Sequence, residues 1–140
     1  MKIADNLEKY EGITVVGGGV TGQAVAEFLS GMEVEIFVSE KNEPGGKARE
    51  KILKTGAEME SGGHTERALA SDLLVVSPGV PGDSDLIKTA KSLGIPVIGE
   101  IELAYRASPT DRIIGVTGTN GKTTTVKLIK EILESQGESA

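Results

Sequence analysis

A β-branched run, a glycine-rich loop and a helix in direct succession leave a chain few ways to fold, and residues 113–125, IIGVTGTNGKTTT, have that order. Ile113 and Ile114 predict a strand over residues 112–116, and the apolar spacing beyond Lys122 predicts a helix over 122–135, stopped by Gly137. A loop so placed is suited to phosphate. Glycines let backbone N–H groups converge on phosphate oxygens, and the helix N-terminus adds partial positive charge. Gly118, Thr119, Asn120, Gly121, Lys122, Thr123 and Thr124 form the expected ATP-binding segment. Lys122 would reach the β- and γ-phosphates and the Thr123 hydroxyl would ligate Mg²⁺, which makes these two the catalytic candidates. The glycines are Gly115, Gly118 and Gly121, so Val116 stands where the strict G-x-x-x-x-G-K-[ST] pattern has glycine. The sequence stops one helix later, which reads as an ATP site begun and not completed.

The rest of the chain repeats the strand-then-helix order. Strands are expected over residues 13–16, 34–38, 57–59, 73–76 and 95–98. Helices are expected over 21–29, 48–55, 65–69, 83–93 and 100–106, with Gly94 as a left-handed cap. Helices between apolar strands predict an α/β fold, a Rossmann-like five-stranded parallel sheet with flanking helices. Ser108-Pro109-Thr110 reads as a linker. The expected domains are 1–107 and 108–140, the second being the first strand, phosphate loop and helix of a truncated ATP-binding domain.

A second nucleotide signal follows the first strand. Gly17-Gly18-Gly19-Val20-Thr21-Gly22 fits G-x-G-x-x-G between a strand and a helix. Gly17 would make the turn, Gly19 would admit a phosphate, and Gly22 would let helix and strand pack closely. Glu40, 18 residues beyond Gly22, is placed to bind a ribose hydroxyl, so NAD(P) or FAD is an alternative ligand from this motif alone. A turn that serves only packing is another. Ser77-Pro78-Gly79-Val80-Pro81-Gly82 follows the fourth strand, and the loops after strands one, two and four should meet in one crevice.

Composition excludes several classes. Of 140 residues 38% are hydrophobic and only 3% aromatic, so the core is aliphatic and base stacking on single-stranded nucleic acid is disfavoured. The net charge of −6, with no long basic run, argues against nucleic acid as a partner. With no cysteine and only His64 as histidine, disulfides, thiolate metal sites and multi-histidine sites are excluded. No membrane segment or signal peptide is recognisable, and the expectation is a soluble, cytoplasmic chain. His64 reads as a loop or cap residue, and Glu100 and Glu102 as helix-opening carboxylates.

Gly17–Gly22, Ser77-Pro78-Gly79, Gly99-Glu100-Ile101-Glu102-Leu103 and residues 117–125 stand in the order seen in the Mur ligases, and the chain resembles that family along its whole length. Gly62-Gly63-His64-Thr65-Glu66 is similar to the family's third-strand loop. The GGGVTG loop favours the branch that adds D-glutamate to UDP-N-acetylmuramoyl-L-alanine in peptidoglycan precursor synthesis, a step of cell-wall biogenesis tied to cell shape and division.

The resemblance implies ATP and Mg²⁺ as cofactors, and phosphorylation of a UDP-linked muramoyl-alanine carboxylate that the amine of D-glutamate then attacks. It implies that the first domain holds the UDP end of that substrate. Val20 and Thr21 would face the diphosphate, Ser39, Glu40 and Lys41 the uracil side, and Ser77, Pro78 and Gly79 the opposite wall. Many family members carry Asp where Ser39 stands, so Ser39 or Glu40 would accept the uracil N–H. The implied chain is an N-terminal, inactive portion of a ligase, with self-association of its tail. A dinucleotide module and a non-catalytic partner-binding domain are the alternatives.

Overall fold

The computed structural model of the chain describes residue 7, residues 9–110 and residues 112–139. They fall into two compact units, Met1–Pro109 and Thr110–Ala140.

The first unit is built on five parallel strands. These are β1 (Gly12–Val16), β2 (Glu35–Glu40), β3 (Glu58–Ser61), β4 (Leu73–Val76) and β5 (Val97–Gly99), side by side in the order β3-β2-β1-β4-β5. Between them run α1 (Val20–Leu29), α2 (Gly46–Lys54), a 3-10 turn (Glu66–Leu69), α3 (Asp85–Ser92) and, after β5, α4 (Glu100–Ala107). This is the α/β, Rossmann-like architecture expected from the alternation.

The central strand shows why the sheet must be covered twice. Ile13, Thr14, Val15 and Val16 are all buried, and successive side chains point to opposite faces. Ile13 and Val15 pack with Val25, Ala26 and Leu29 of α1, Ile52 of α2 and Leu103 of α4. Val16 joins Leu74 with Ala68, Leu86 and Ala90. Thr14 is tolerated there because its Oγ1 accepts a hydrogen bond from Ser71 Oγ at 2.8 Å. Polar EMES in β3 suits the edge it occupies.

Boundaries moved where pairing or capping decided them. β2 runs past Val38 to Glu40 because it is paired on both sides, Ser39 lying opposite Val16 and Glu60. β5 starts at Val97, since Ile95 N–H still donates to Ala90 O at 2.9 Å and Pro96 has no N–H. α3 starts at Asp85, after Ser84 in extended backbone, and Gly94 takes the expected left-handed conformation at φ 75°.

In the second unit α5 (Lys122–Ser135) begins where the sequence placed it, directly after Gly121 at φ 78°. The strand expected over residues 112–116 is not formed. It belongs to no ladder, and an extended segment becomes a strand only through a neighbour that takes up its N–H and C=O groups. Ile113 and Ile114 are exposed.

Candidate nucleotide crevice and phosphate loop

The strand order fixes where a ligand can sit. The chain lays β2 and β3 on one side of β1, then crosses to β4 and β5 on the other. Ligands of open α/β sheets bind beyond the carboxyl ends of the strands at such a switch point. Val16, Ser39 and Val76 are in register, so the loops that follow them open at one level, as expected. A crevice of about 1030 Å³ lies there. Seven of the eight predicted substrate residues line it: Val20, Thr21, Glu40, Lys41, Ser77, Pro78 and Gly79.

Close packing shapes the floor. Gly17 sits at φ 102°, and its N–H donates to Ser39 O at 2.9 Å. A Cβ on Gly22 would fall 1.8 Å from Gly17 O, so α1 meets the β1 turn only through a glycine. A Cβ on Gly19 would meet no atom within 4 Å, which leaves that side of the loop open for a ligand oxygen. α1 has no side-chain cap, and its first backbone bond runs from Gln23 N to Gly19 O at 2.9 Å. The N–H groups of Val20, Thr21 and Gly22 precede that bond and point out of the helix end. Lys41 is the one lysine or arginine among the described lining residues, and Glu40, Glu66, Asp83 and Asp85 are the lining carboxylates. The uncapped α1 N-terminus adds partial positive charge to the crevice.

The two uracil-side candidates are otherwise engaged. Glu40 accepts from Gly18 N–H at 2.6 Å and from Asn42 N–H at 2.9 Å, tying the first loop to the end of β2. Ser39 is fully buried and is absent from the crevice wall. Its Oγ lies 2.5 Å from Glu60 Oε1 and 2.7 Å from His64 Nδ1. Thr65 adds two bonds to the same carboxylate, N–H to Oε1 at 3.1 Å and Oγ1 to Oε2 at 2.5 Å. Burial alone would raise the Glu60 pKa. The bonds from Ser39 and Thr65, with His64 beside it, outweigh that and hold it below its ordinary value of 4.5.

His64 is a loop residue, as expected, and it also lines the crevice. The chain's only histidine follows Gly62-Gly63, a few residues beyond the strand expected over residues 57–59.

The glycine-rich loop of the second unit leads directly into α5. Gly118 at φ 151° and Gly121 at φ 78° turn the backbone, and α5 starts at Lys122 with no side-chain cap. Lys122 Nζ donates to Gly118 O at 2.7 Å, so the ammonium lies across the loop. Uncapped N–H groups and a lysine on the same loop are the donors a polyphosphate would need. Thr123 offers one hydroxyl. No cluster of three His, Cys, Asp or Glu suited to a metal occurs among the described residues.

Fold and crevice together define a Rossmann-like α/β domain followed by a glycine-rich loop and a helix. The model of the Mur ligase MurD-like N-terminal domain matches residues 11–99, and the chain belongs to that family. It is 42% identical over 135 residues to the UDP-N-acetylmuramoylalanine–D-glutamate ligase of Chlorobaculum parvum, covering 95% of this chain and 29% of that protein. Among solved structures, the UDP-N-acetylmuramate-alanine ligase MurC of Thermotoga maritima matches with TM-score 0.57 and 26% identity, over 87% of this chain and 29% of that one. The murein peptide ligase of Psychrobacter arcticus shares the fold, with TM-score 0.65 at 24% identity over 91% of this chain and 27% of that one. The chain spans between 26% and 30% of the length of the curated relatives it matches. No helix among the described residues is long and apolar enough to cross a membrane.

Proposed function

We propose that the chain supplies the UDP-binding domain and phosphate loop of a cytoplasmic ligase that joins D-glutamate to UDP-N-acetylmuramoyl-L-alanine at the expense of ATP. One observation carries the reading. In a chain of the MurD-like family, the uncapped α1 N-terminus and the Ser77-Pro78-Gly79 wall face one crevice at the sheet's switch point.

The N–H groups of Val20, Thr21 and Gly22, with Lys41 nearby, hold the diphosphate. Ser77, Pro78 and Gly79 form a wall stiffened by proline. In the second unit, backbone N–H groups of residues 118–124 and Lys122 hold the ATP phosphates, and Thr123 ligates Mg²⁺. ATP with Mg²⁺ supplies the phosphoryl group that activates the substrate carboxylate. The protein's part is to hold that group and to offset charge as it transfers. The relatives are more than three times as long, and the 140 residues alone are expected to bind nucleotide without ligating.

Titration calorimetry with UDP, UDP-N-acetylmuramoyl-L-alanine and NADH tests the crevice. Heat with the two uridine ligands and none with NADH is the expected result. Binding of NADH alone would turn the reading into that of a dinucleotide module.

A further inference from the structure

The hydrogen bonds around Ser39 leave His64 little choice of tautomer. Glu60 Oε1 accepts the backbone N–H of Thr65, so it is an acceptor, and the Ser39 hydroxyl 2.5 Å away must donate to it. Ser39 has one proton, and it is now committed. At 2.7 Å from Ser39 Oγ, His64 Nδ1 must therefore be the donor. In the neutral ring the proton sits on Nδ1, and Nε2 carries a lone pair. Among the described residues the ring's hydrogen bond is made through Nδ1, and His64 lines the crevice, which leaves Nε2 for a ligand there.

We propose that the Glu60–Ser39–His64 chain presents His64 Nε2 as a fixed acceptor for a ring N–H flanked by carbonyls, the lactam edge of a uracil-type base. The inference rests on the UDP reading above and adds the residue that reads the base. It also gives the buried Ser39 a part: Ser39 is a positioning residue acting through His64. The residue that touches the ligand lies on the loop after β3, 25 positions further on. Such an acceptor discriminates by chemistry. A cytosine ring offers a lone pair at the same place, and a 3-methylated uracil offers no proton, so each sets acceptor or methyl against acceptor.

The test uses the full chain with UDP, CDP and 3-methyl-UDP as calorimetric probes at about pH 8. Wild-type chain is expected to bind UDP about tenfold more tightly than the other two. His64→Phe should abolish that preference while keeping residual, equal binding to all three through the diphosphate. His64→Gln, which retains an acceptor, should restore part of it.

Because His64 is the only histidine, its ring nitrogens give one unambiguous ¹⁵N signature. That signature should show the Nδ1–H tautomer in the wild type and a shift toward Nε2–H in Ser39→Ala. A preference for UDP that survives in His64→Phe, or an Nε2–H tautomer in the wild type, would overturn the inference while leaving the UDP reading standing. A wild-type chain that binds no UDP would overturn both.

Discussion

Glu60 accepts three hydrogen bonds within the first unit, from Ser39 and twice from Thr65. Its pKa is depressed on folding, so the sign of its effect on stability is fixed. The contribution is fully present above the unfolded value of 4.5 and is lost as pH falls through the lower, folded value. Urea midpoints measured at a series of pH values should show Glu60→Gln less stable than wild type near neutrality. The two curves should converge as the pH drops below 4.5. A gap that stays constant into acid would mean that the carboxylate's charge plays no part. At this scale the sequence was read unevenly. Lys122, Thr123 and the loop glycines announce themselves by spacing. Ser39 and Glu40 lie just past the strand expected over residues 34–38, but they are the last two residues of β2, and strand alternation sends their side chains to opposite faces. Which of the two meets the crevice depends on register with β1 and β3, which no single segment encodes.

At the scale of elements, the β1–loop–α1 unit places the candidate diphosphate site, and it depends on one close approach. Gly22→Ala would drive a methyl into the Gly17 carbonyl, 1.8 Å from an ideal Cβ. The expected cost is about 2 kcal/mol or more, because the clash is with backbone and cannot be relieved by a rotamer change. Gly19→Ala, with φ −68° and open space around its Cβ, should cost under about 0.5 kcal/mol. Denaturant unfolding of the two variants compares them directly, and equal losses would contradict the close-packing account. The distinction between these glycines was legible in G-x-G-x-x-G. The strand expected over residues 112–116 has no partner among the described residues. Its β-branched residues carry the propensity, but propensity becomes a strand only through cross-strand partners.

For the whole molecule the question is which part is self-sufficient. All five strands lie within the first unit, and no residue of either core cluster comes after Ala107. A chain ending at Pro109 therefore keeps its complete sheet and its crevice. It should unfold in one cooperative transition, with a stability within about 0.5 kcal/mol of the same transition in the full chain. The second unit has a different balance. Ile113, Ile114, Val126, Leu128 and Ile132 are exposed, and α5 has no buried residue. Burial of that apolar surface between copies would be favourable by roughly 25 cal/mol for each Å² removed from water. Sedimentation velocity across a dilution series should then show concentration-dependent association for residues 1–140 and none for residues 1–109. Equal association of the two chains would place the contact in the first unit, and a monomeric full chain at all concentrations would remove the tail from consideration.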